Sequence, residues 1–336
     1  MMRVMVVTDA WRPQVNGVVR SLEYMAAQAP SFGAEVVFLT PERFRSFPMP
    51  TYPEIRLSLT RPEIVGRMIA EAQPDHVHIA TEGPLGFSAR LACLRQGRGF
   101  TTSYHTRFPE YLSSRLPVPK RLSYGVLRWF HRQAKAVMVS TPSLEQELRI
   151  RGFRNIVRWT RGVDTMLFRP RHERVLDCAG PIFLYVGRVA VEKNLPAFLS
   201  LDLPGTKVVV GDGPARQELE KRYSRVRFLG ALTGEELARV YASADVFVFP
   251  SLTDTFGIVL LEALASGLPV AAFPVTGPID VLGSSGCGVV DDDLRKAALA
   301  ALEIPRDRCR AYGETFTWQE SARQFFSNIQ AVHAST

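Results

Sequence analysis

Arg188 and Lys193 stand five residues apart in the segment Tyr185-Val186-Gly187-Arg188-Val189-Ala190-Val191-Glu192-Lys193-Asn194. A guanidinium gives forked hydrogen bonds to phosphate oxygens, and an ammonium adds a mobile point charge. The two can converge on one anion, or they are ordinary surface cations. Gly187 lets the chain turn sharply ahead of them. In Val208-Val209-Val210-Gly211-Asp212-Gly213-Pro214, Gly211 would allow close backbone approach to a ligand, although such turns are often rich in Gly and Pro for conformation alone. The most informative stretch runs from Pro250 to Gly267. A polar loop containing Asp254, Thr255 and Phe256 ends in Gly257 and opens a short apolar helix that Gly267 terminates. Amide groups at that helix start, with the positive end of the helix dipole, make an anion site. Glu262 lies about one and a half turns into the helix among apolar neighbours. A carboxylate there is costly unless it is hydrogen-bonded. A ribose diol would satisfy it; the other readings are an exposed position or an internal ion pair. Asp254 reads as a ligand contact or as a plain N-cap.

Two further positions lie in the first half. Gly17, in Thr8-Asp9-Ala10-Trp11-Arg12-Pro13-Gln14-Val15-Asn16-Gly17-Val18-Val19, falls at a helix start where backbone could approach phosphate. His105, in Thr102-Ser103-Tyr104-His105-Thr106-Arg107, could hydrogen-bond a sugar hydroxyl or a reacting group, or be structural.

These residues need elements that hold them. Short apolar or β-branched runs predict strands near Val4–Thr8, Val36–Leu39, His76–Ala80, Thr101–His105 and Val137–Ser140. A second set falls near Ile182–Val186, Lys207–Val210, Val226–Leu229, Val246–Phe249 and Pro269–Phe273. Continuous apolar strands alternating with helical segments imply parallel sheets covered on both faces. The chain therefore reads as α/β, with two doubly wound domains and ligand loops at the carboxyl ends of the strands, facing a central cleft. The expected division is 1–168, 169–315 and a closing helical segment 316–336. The length of 336 residues fits two domains.

Composition narrows the function. The hydrophobic content of 46% excludes a disordered chain. Cys93, Cys178, Cys287 and Cys309 form no CxxC or Cys/His cluster, which argues against a disulfide scaffold or a zinc site and fits a reducing compartment. The opening apolar run is too short for a signal peptide, and the longest apolar stretch, Gly257 to Pro274, is interrupted by Glu262. The expectation is a chain neither exported by such a signal nor spanning a membrane.

The net charge of +8 is unevenly spread. Residues 1–170 carry 24 Lys/Arg against 13 Asp/Glu, whereas residues 171–336 carry 17 against 20. The excess is densest from Arg98 to Lys135, where Arg107, Arg115, Lys120, Arg121, Arg128 and Arg132 are interleaved with Tyr111, Tyr124, Val126, Trp129 and Phe130. Such a segment can lie on an anionic bilayer, or be a solvated helix with a core-facing stripe. No nucleic-acid-binding motif accompanies the charge.

Together the segments PQVNGV, SYHT, RGVDTMLFRP, VGRVAVEKN, VGDGP and TDTFGIVLLEALASGLPV resemble the retaining GT-B glycosyltransferases of family 4. They occur in family order and cover nearly the whole chain. The fold that the resemblance implies is GT-B, two Rossmann-like domains. The closing Phe316-Thr317-Trp318-Gln319-Glu320-Ser321-Ala322 resembles the family's final helix, which crosses back to the first domain. By this resemblance Arg188 and Lys193 would bind a donor diphosphate, and Glu262 would hold the nucleotide ribose. Asp254 stands where the family has a glutamate that approaches the donor sugar. Phe256 and Gly257 match the loop whose amides meet sugar and diphosphate, and Thr255, Gly187 and Gly211 complete the expected donor site. Gly17 would face the phosphates and His105 the reacting sugar. The TDTFG and HT forms, with Gly277-Pro278-Ile279-Asp280, are more similar to sulfoquinovosyl-diacylglycerol synthases, bacterial diacylglycerol glycosyltransferases and α-mannosyltransferases than to sucrose or glycogen synthases.

The implied activity is transfer of a hexose or hexuronic acid from a nucleotide sugar to a membrane lipid hydroxyl, diacylglycerol foremost, with retention. A UDP-sugar is favoured over GDP-mannose as co-substrate; no cofactor and no metal are expected. Front-face attack is implied, with a covalent route through Asp254 as the lesser alternative. The expected location is peripheral, on the inner face of the cytoplasmic membrane. The competing readings are a GDP-mannose-dependent α-mannosyltransferase acting on a lipid, polyol or glycan, a GT-B sugar-nucleotide epimerase, and a non-catalytic membrane-binding protein.

Overall fold

The computed structural model describes residues 1–14, 16–49, 52–113 and 119–334. The strands are β1 (Met2–Val7), β2 (Ala34–Leu39), β3 (Ser46–Met49), β4 (Tyr52–Ser58), β5 (His76–Ile79), β6 (Phe100–Ser103), β7 (Val137–Val139), β8 (Ile156–Arg158), β9 (Ile182–Val186), β10 (Thr206–Val210), β11 (Arg227–Gly230), β12 (Val246–Phe249), β13 (Val270–Ala272) and β14 (Gly288–Val290). In the first half the helices are α1 (Gly17–Gln28), α2 (Pro62–Ala72), α3 (Pro84–Arg95), α4 (Phe108–Ser113), α5 (Lys120–His131) and α6 (Pro142–Ile150). They are followed by α7 (Leu195–Leu199), α8 (Arg216–Arg222), α9 (Gly234–Ser243), α10 (Ile258–Ala265), α11 (Thr276–Leu282), α12 (Leu294–Ala301), α13 (Arg306–Gly313) and α14 (Trp318–Ala334). The chain forms two compact units, one of Met1–Arg161 with Trp318–Thr336 and one of Gly162–Thr317. The sequence divides the chain after residue 168, whereas the first unit closes at Arg161.

In the first unit the sheet order is β2-β1-β5-β6-β7-β8, all neighbours parallel. Alternation along β1 shows why both faces are covered. Val4 and Val6 pack with Leu22 and Met25 of α1 and with Phe325, Phe326 and Ile329 of α14. Met5 and Val7 pack on the opposite face with Ile69, Leu85 and Phe130. An apolar run buried on both sides is what a parallel sheet requires. α14 is held to α1 by stacking of Trp318 on Tyr24, with centroids 4.6 Å apart. β3 and β4 form a separate antiparallel ribbon that the sequence reading did not include.

In the second unit the order is β11-β10-β9-β12-β13-β14, again all parallel. Both sheets are doubly wound, as the sequence predicted. In each, the chain moves outward from its first strand and then returns to that strand's other side. The reversal lies between β1 and β5 in the first sheet and between β9 and β12 in the second. At such a switch point the loops leaving the carboxyl ends diverge and leave a crevice for ligand.

Candidate active site

The second unit gathers Arg188, Lys193, Asp254 and Glu262 on the loops and helix at its switch point. β9 runs into Gly187 and Arg188, and β12 runs into the loop that ends at Gly257 and α10. The two loops are stitched directly. Lys193 Nζ donates to Asp254 Oδ1 at 2.6 Å, and both side chains are largely buried. Asn194 Nδ2 donates to the Pro250 carbonyl at 3.2 Å, and Thr253 Oγ1 to the Glu192 carbonyl at 3.3 Å. Asp254 Oδ2 is buried with no hydrogen-bond partner among the described residues. A buried acceptor of this kind is costly until a donor reaches it. Asp254 is not the cap of α10: the cap position is Gly257, at φ +82°.

Glu262 is the fifth residue of α10 and only 2% exposed. This removes the exposed-helix reading. The Tyr241 hydroxyl, from α9, donates to Glu262 Oε2 at 2.9 Å and so orients the carboxylate. No sequence signal pointed to Tyr241, because its pairing spans a whole β-strand and loop. The Tyr185 hydroxyl likewise fixes the turn after β9, donating to the Arg188 carbonyl at 2.9 Å. Thr255 is half-buried, whereas Phe256 packs into the core.

The glycines after β10 answer to backbone crowding. Gly211 has φ +136°, and a Cβ there would lie 1.8 Å from the Gly187 carbonyl oxygen. Around this contact the Gly187 amide donates to the Val210 carbonyl at 3.0 Å, and the Val189 amide to Asp212 O at 2.9 Å. The VGDGP turn thus continues the pairing of β9 with β10 past the strand ends and shapes the Arg188 loop. On the other flank, Gly277 of α11 would place a Cβ 2.8 Å from the Phe256 carbonyl oxygen, so small size there lets α11 support the 254–256 loop.

In the first unit, Gly17 is the first residue of α1, and Asn16 caps the helix by accepting from the amides of Val18 and Val19. Asp9, just beyond β1, lies at that sheet's switch point. Its carboxylate accepts from the amides of Leu85 and Gly86 at 2.9 and 3.1 Å and from Thr81 Oγ1 at 3.0 Å, docking the start of α3. Burial nevertheless holds its pKa above the ordinary carboxylate value. His105 follows β6 and is buried. Arg161 Nη2 donates to its Nδ1 at 2.9 Å. Burial first, and the Arg161 charge second, hold the His105 pKa well below the ordinary imidazole value. The ring is therefore neutral at neutral pH and serves as a hydrogen-bonding group.

The basic segment is corrected in part. Phe130, expected on the surface, is fully buried in the core, because α5 turns Tyr124, Leu127 and Phe130 inward together. Arg107 is turned against Glu147, Nη2 to Oε2 at 2.6 Å, and is mostly covered. Arg115 lies outside the described residues. Lys120, Arg121, Arg128 and Arg132 are exposed. Between them Leu122, Val126 and Trp129, at i, i+4 and i+7 along α5, expose 64%, 53% and 48% of their surface. The Trp129 ring carries the Arg90 guanidinium, 3.8 Å from its centroid. Leu122 was missed in the sequence because its apolar neighbours looked equally suitable; only the helix orientation separates them. No helix among the described residues is long and apolar enough to cross a membrane, and no cluster of His, Cys, Asp or Glu among them is arranged to hold a metal ion.

Comparison with known proteins identifies the family. Residues 180–307 match the family model described as glycosyl transferases group 1, and residues 15–167 match that for glycosyltransferase family 4. The sulfoquinovosyl transferase SQD2 of Arabidopsis thaliana is 35% identical over 74% of this chain; the match spans 55% of that protein's length. A GDP-mannose-dependent alpha-mannosyltransferase of Mycobacterium tuberculosis is 32% identical over 86% of this chain and 83% of its own. The structure of a sucrose-phosphate synthase from Thermosynechococcus elongatus covers 100% of both chains at a TM-score of 0.80 and 20% identity, a likeness of GT-B fold. With both units matched in order and a relative aligned over most of both lengths, the chain belongs to the family 4 glycosyltransferases of GT-B fold.

Proposed function

We propose that this glycosyltransferase moves a hexose or hexuronic acid from a nucleotide sugar to the hydroxyl of a membrane lipid, diacylglycerol foremost, with retention of the α configuration. The observation that carries the donor half is the grouping of Arg188, Lys193, the start of α10 and the Tyr241-held Glu262 at one switch point. In this reading Arg188, Lys193 and the α10 amides stabilise the charge growing on the departing diphosphate, so no metal is required. Lys193 shares its charge between Asp254 and the phosphates. Glu262 accepts from the ribose hydroxyls. Asp254 Oδ2, without a protein partner among the described residues, accepts from a hydroxyl of the donor sugar. Gly17 lets backbone approach the phosphates, and His105 donates to the reacting sugar. The departing phosphate takes the acceptor's proton, with no protein nucleophile.

The acceptor half rests on α5. Its exposed Leu122, Val126 and Trp129, flanked by Lys120, Arg121, Arg128 and Arg132, combine apolar insertion with attraction to anionic headgroups. The enzyme then works peripherally on the inner face of the cytoplasmic membrane. A second reading, a GDP-mannose donor, is favoured by the length over which the mycobacterial mannosyltransferase aligns. One panel separates them: UDP-glucose, UDP-glucuronate, UDP-galactose and GDP-mannose, each with diacylglycerol vesicles, followed by lipid chromatography. A UDP-sugar product supports the first reading and a mannolipid the second. Turnover of a nucleotide sugar with no acceptor present, or a product only with water-soluble acceptors, removes the lipid assignment.

A further inference from the structure

Arg161 lies in the RGVD segment, just beyond β8, and is 4% exposed. Its Nη1 donates to the carbonyls of Trp159 and Thr160 at 2.7 and 3.0 Å, and its Nη2 to His105 Nδ1 at 2.9 Å. The guanidinium lies 4.3 Å from the centroid of the Trp159 indole, which also makes an edge contact with the His105 ring at 5.6 Å between centroids. Among the described residues Arg161 forms no ion pair with a carboxylate, and burial lowers its pKa to about 9, which still leaves it charged at neutrality. A cation is thus kept inside the first unit at the expense of its hydration, and its forked end is aimed at a histidine.

The chemistry of that contact is one-sided. A guanidinium carries only donors, so the ring nitrogen it meets must accept. Nδ1 therefore holds a lone pair, and the ring proton sits on Nε2. A proton on Nδ1 would set two N–H groups against each other beside a positive charge. Among the described residues His78 of β5 also faces the ring, and burial keeps it neutral. His78 Nδ1 is hydrogen-bonded to Thr101 Oγ1 and its Nε2 to Ser103 Oγ, each at 2.9 Å. From α14, Ser321 meets Trp159 Nε1 at 3.2 Å and Phe325 packs on the indole, both uncharged.

We propose that Arg161 is a positioning residue for glycosyl transfer: it locks His105 in the Nε2–H tautomer, so that the histidine presents a fixed donor and never a proton acceptor to the sugar. The catalytic part rests on the placement of His105 beside the reacting sugar under Proposed function. The tautomer lock itself does not.

The test begins with the full-length protein labelled with 15N-histidine. Long-range 1H–15N spectra from pH 5 to 9, with His105→Gln to assign the ring, are expected to show an unprotonated Nδ1 and a protonated Nε2 throughout. Arg161→Met is expected to release the ring into a mixture of tautomers that titrates. Arg161→Lys keeps a cationic donor and should restore the wild-type pattern in part. Kinetically, Arg161→Met should lower kcat roughly 10- to 100-fold, as for loss of one charge-assisted hydrogen bond, with little change in KM for the nucleotide sugar and a new acidic limb in the pH profile. A wild-type ring protonated on Nδ1, or one that titrates in the ordinary range, overturns the lock without any variant having to fold. Expected spectra with wild-type turnover in His105→Gln would instead overturn the catalytic part, and with it the assignment of His105, while leaving the donor site of the second unit standing.

Discussion

Replacing Leu122 and Val126 of α5 together by serine separates the membrane reading from a merely basic surface. The two side chains expose 64% and 53% of their area. Full burial of such a side chain is worth about 1.5–3 kcal/mol. Scaling by the exposed fraction, and allowing for incomplete insertion at an interface, gives about 2 kcal/mol for the pair. That is roughly a 30-fold loss of partition into vesicles. Neither side chain contributes to the core, so thermal unfolding should move little, the main cost being a few tenths of a kcal/mol in helix propensity. The assay is sedimentation with vesicles containing diacylglycerol and an anionic lipid, at low and at physiological salt. The cationic contribution of Arg121, Arg128 and Arg132, about 1 kcal/mol each near the surface, is screened by salt, whereas the apolar contribution is not. The double variant should therefore keep the salt dependence and lose affinity at both salts. Ile279→Ser, an exposed apolar position of the second unit, is the control. Partition of the double variant within about twofold of wild type, well short of the roughly 30-fold change estimated from buried area, would refute the assignment of this face to the bilayer.

Other outcomes follow from the same contacts. Arg188→Ala and Lys193→Ala should each lower transfer by roughly 100-fold or more, measured as product per nucleotide sugar consumed. Lys193→Ala should in addition cost about 1 kcal/mol in urea unfolding, because Asp254 loses its partner while only partly solvated; unchanged turnover in both variants would remove the diphosphate assignment. Gly211→Ala should destabilise the second unit by more than about 3 kcal/mol or prevent folding, since its Cβ has no room beside the Gly187 carbonyl; a thermal midpoint equal to wild type would contradict the crowding argument. Stability should also fall below neutral pH. Burial lowers the pKa of His76 to about 3, against 6.5 for an ordinary histidine. The unfolded chain takes up a proton below pH 6.5 that the folded chain refuses until about pH 3, so stability is lost as pH falls through this window, by up to about 1.4 kcal/mol per pH unit from this group. Urea midpoints at pH 7 and pH 5, with His76→Asn flattening the difference, measure it.

Much of the scaffold was legible because it is written in local chemistry. Apolar runs such as Ile182–Val186 and Val246–Phe249 leave few alternatives to a strand buried on both faces. The strands that went unread, β8 and β14, are three residues each at sheet edges, where little burial marks the pattern. The antiparallel ribbon of β3 and β4 carries prolines that speak against a strand until the pairing is seen. Glu262 was legible as a carboxylate in apolar company, and the switch-point loops as glycine-rich turns after strands.

What the sequence alone determined was which residue types stand at the ends of which strands, because alternation and turn chemistry are properties of neighbours in the chain. What only the tertiary structure decided was partnership. Tyr241 reaches Glu262, Lys193 meets Asp254, Arg161 meets His105, and Phe130 turns inward while Leu122 turns out. Each depends on how two distant segments are brought within a few ångströms, or on which side of a helix faces the core. Neither composition nor spacing encodes that distance, because it is the packing of whole elements that sets it.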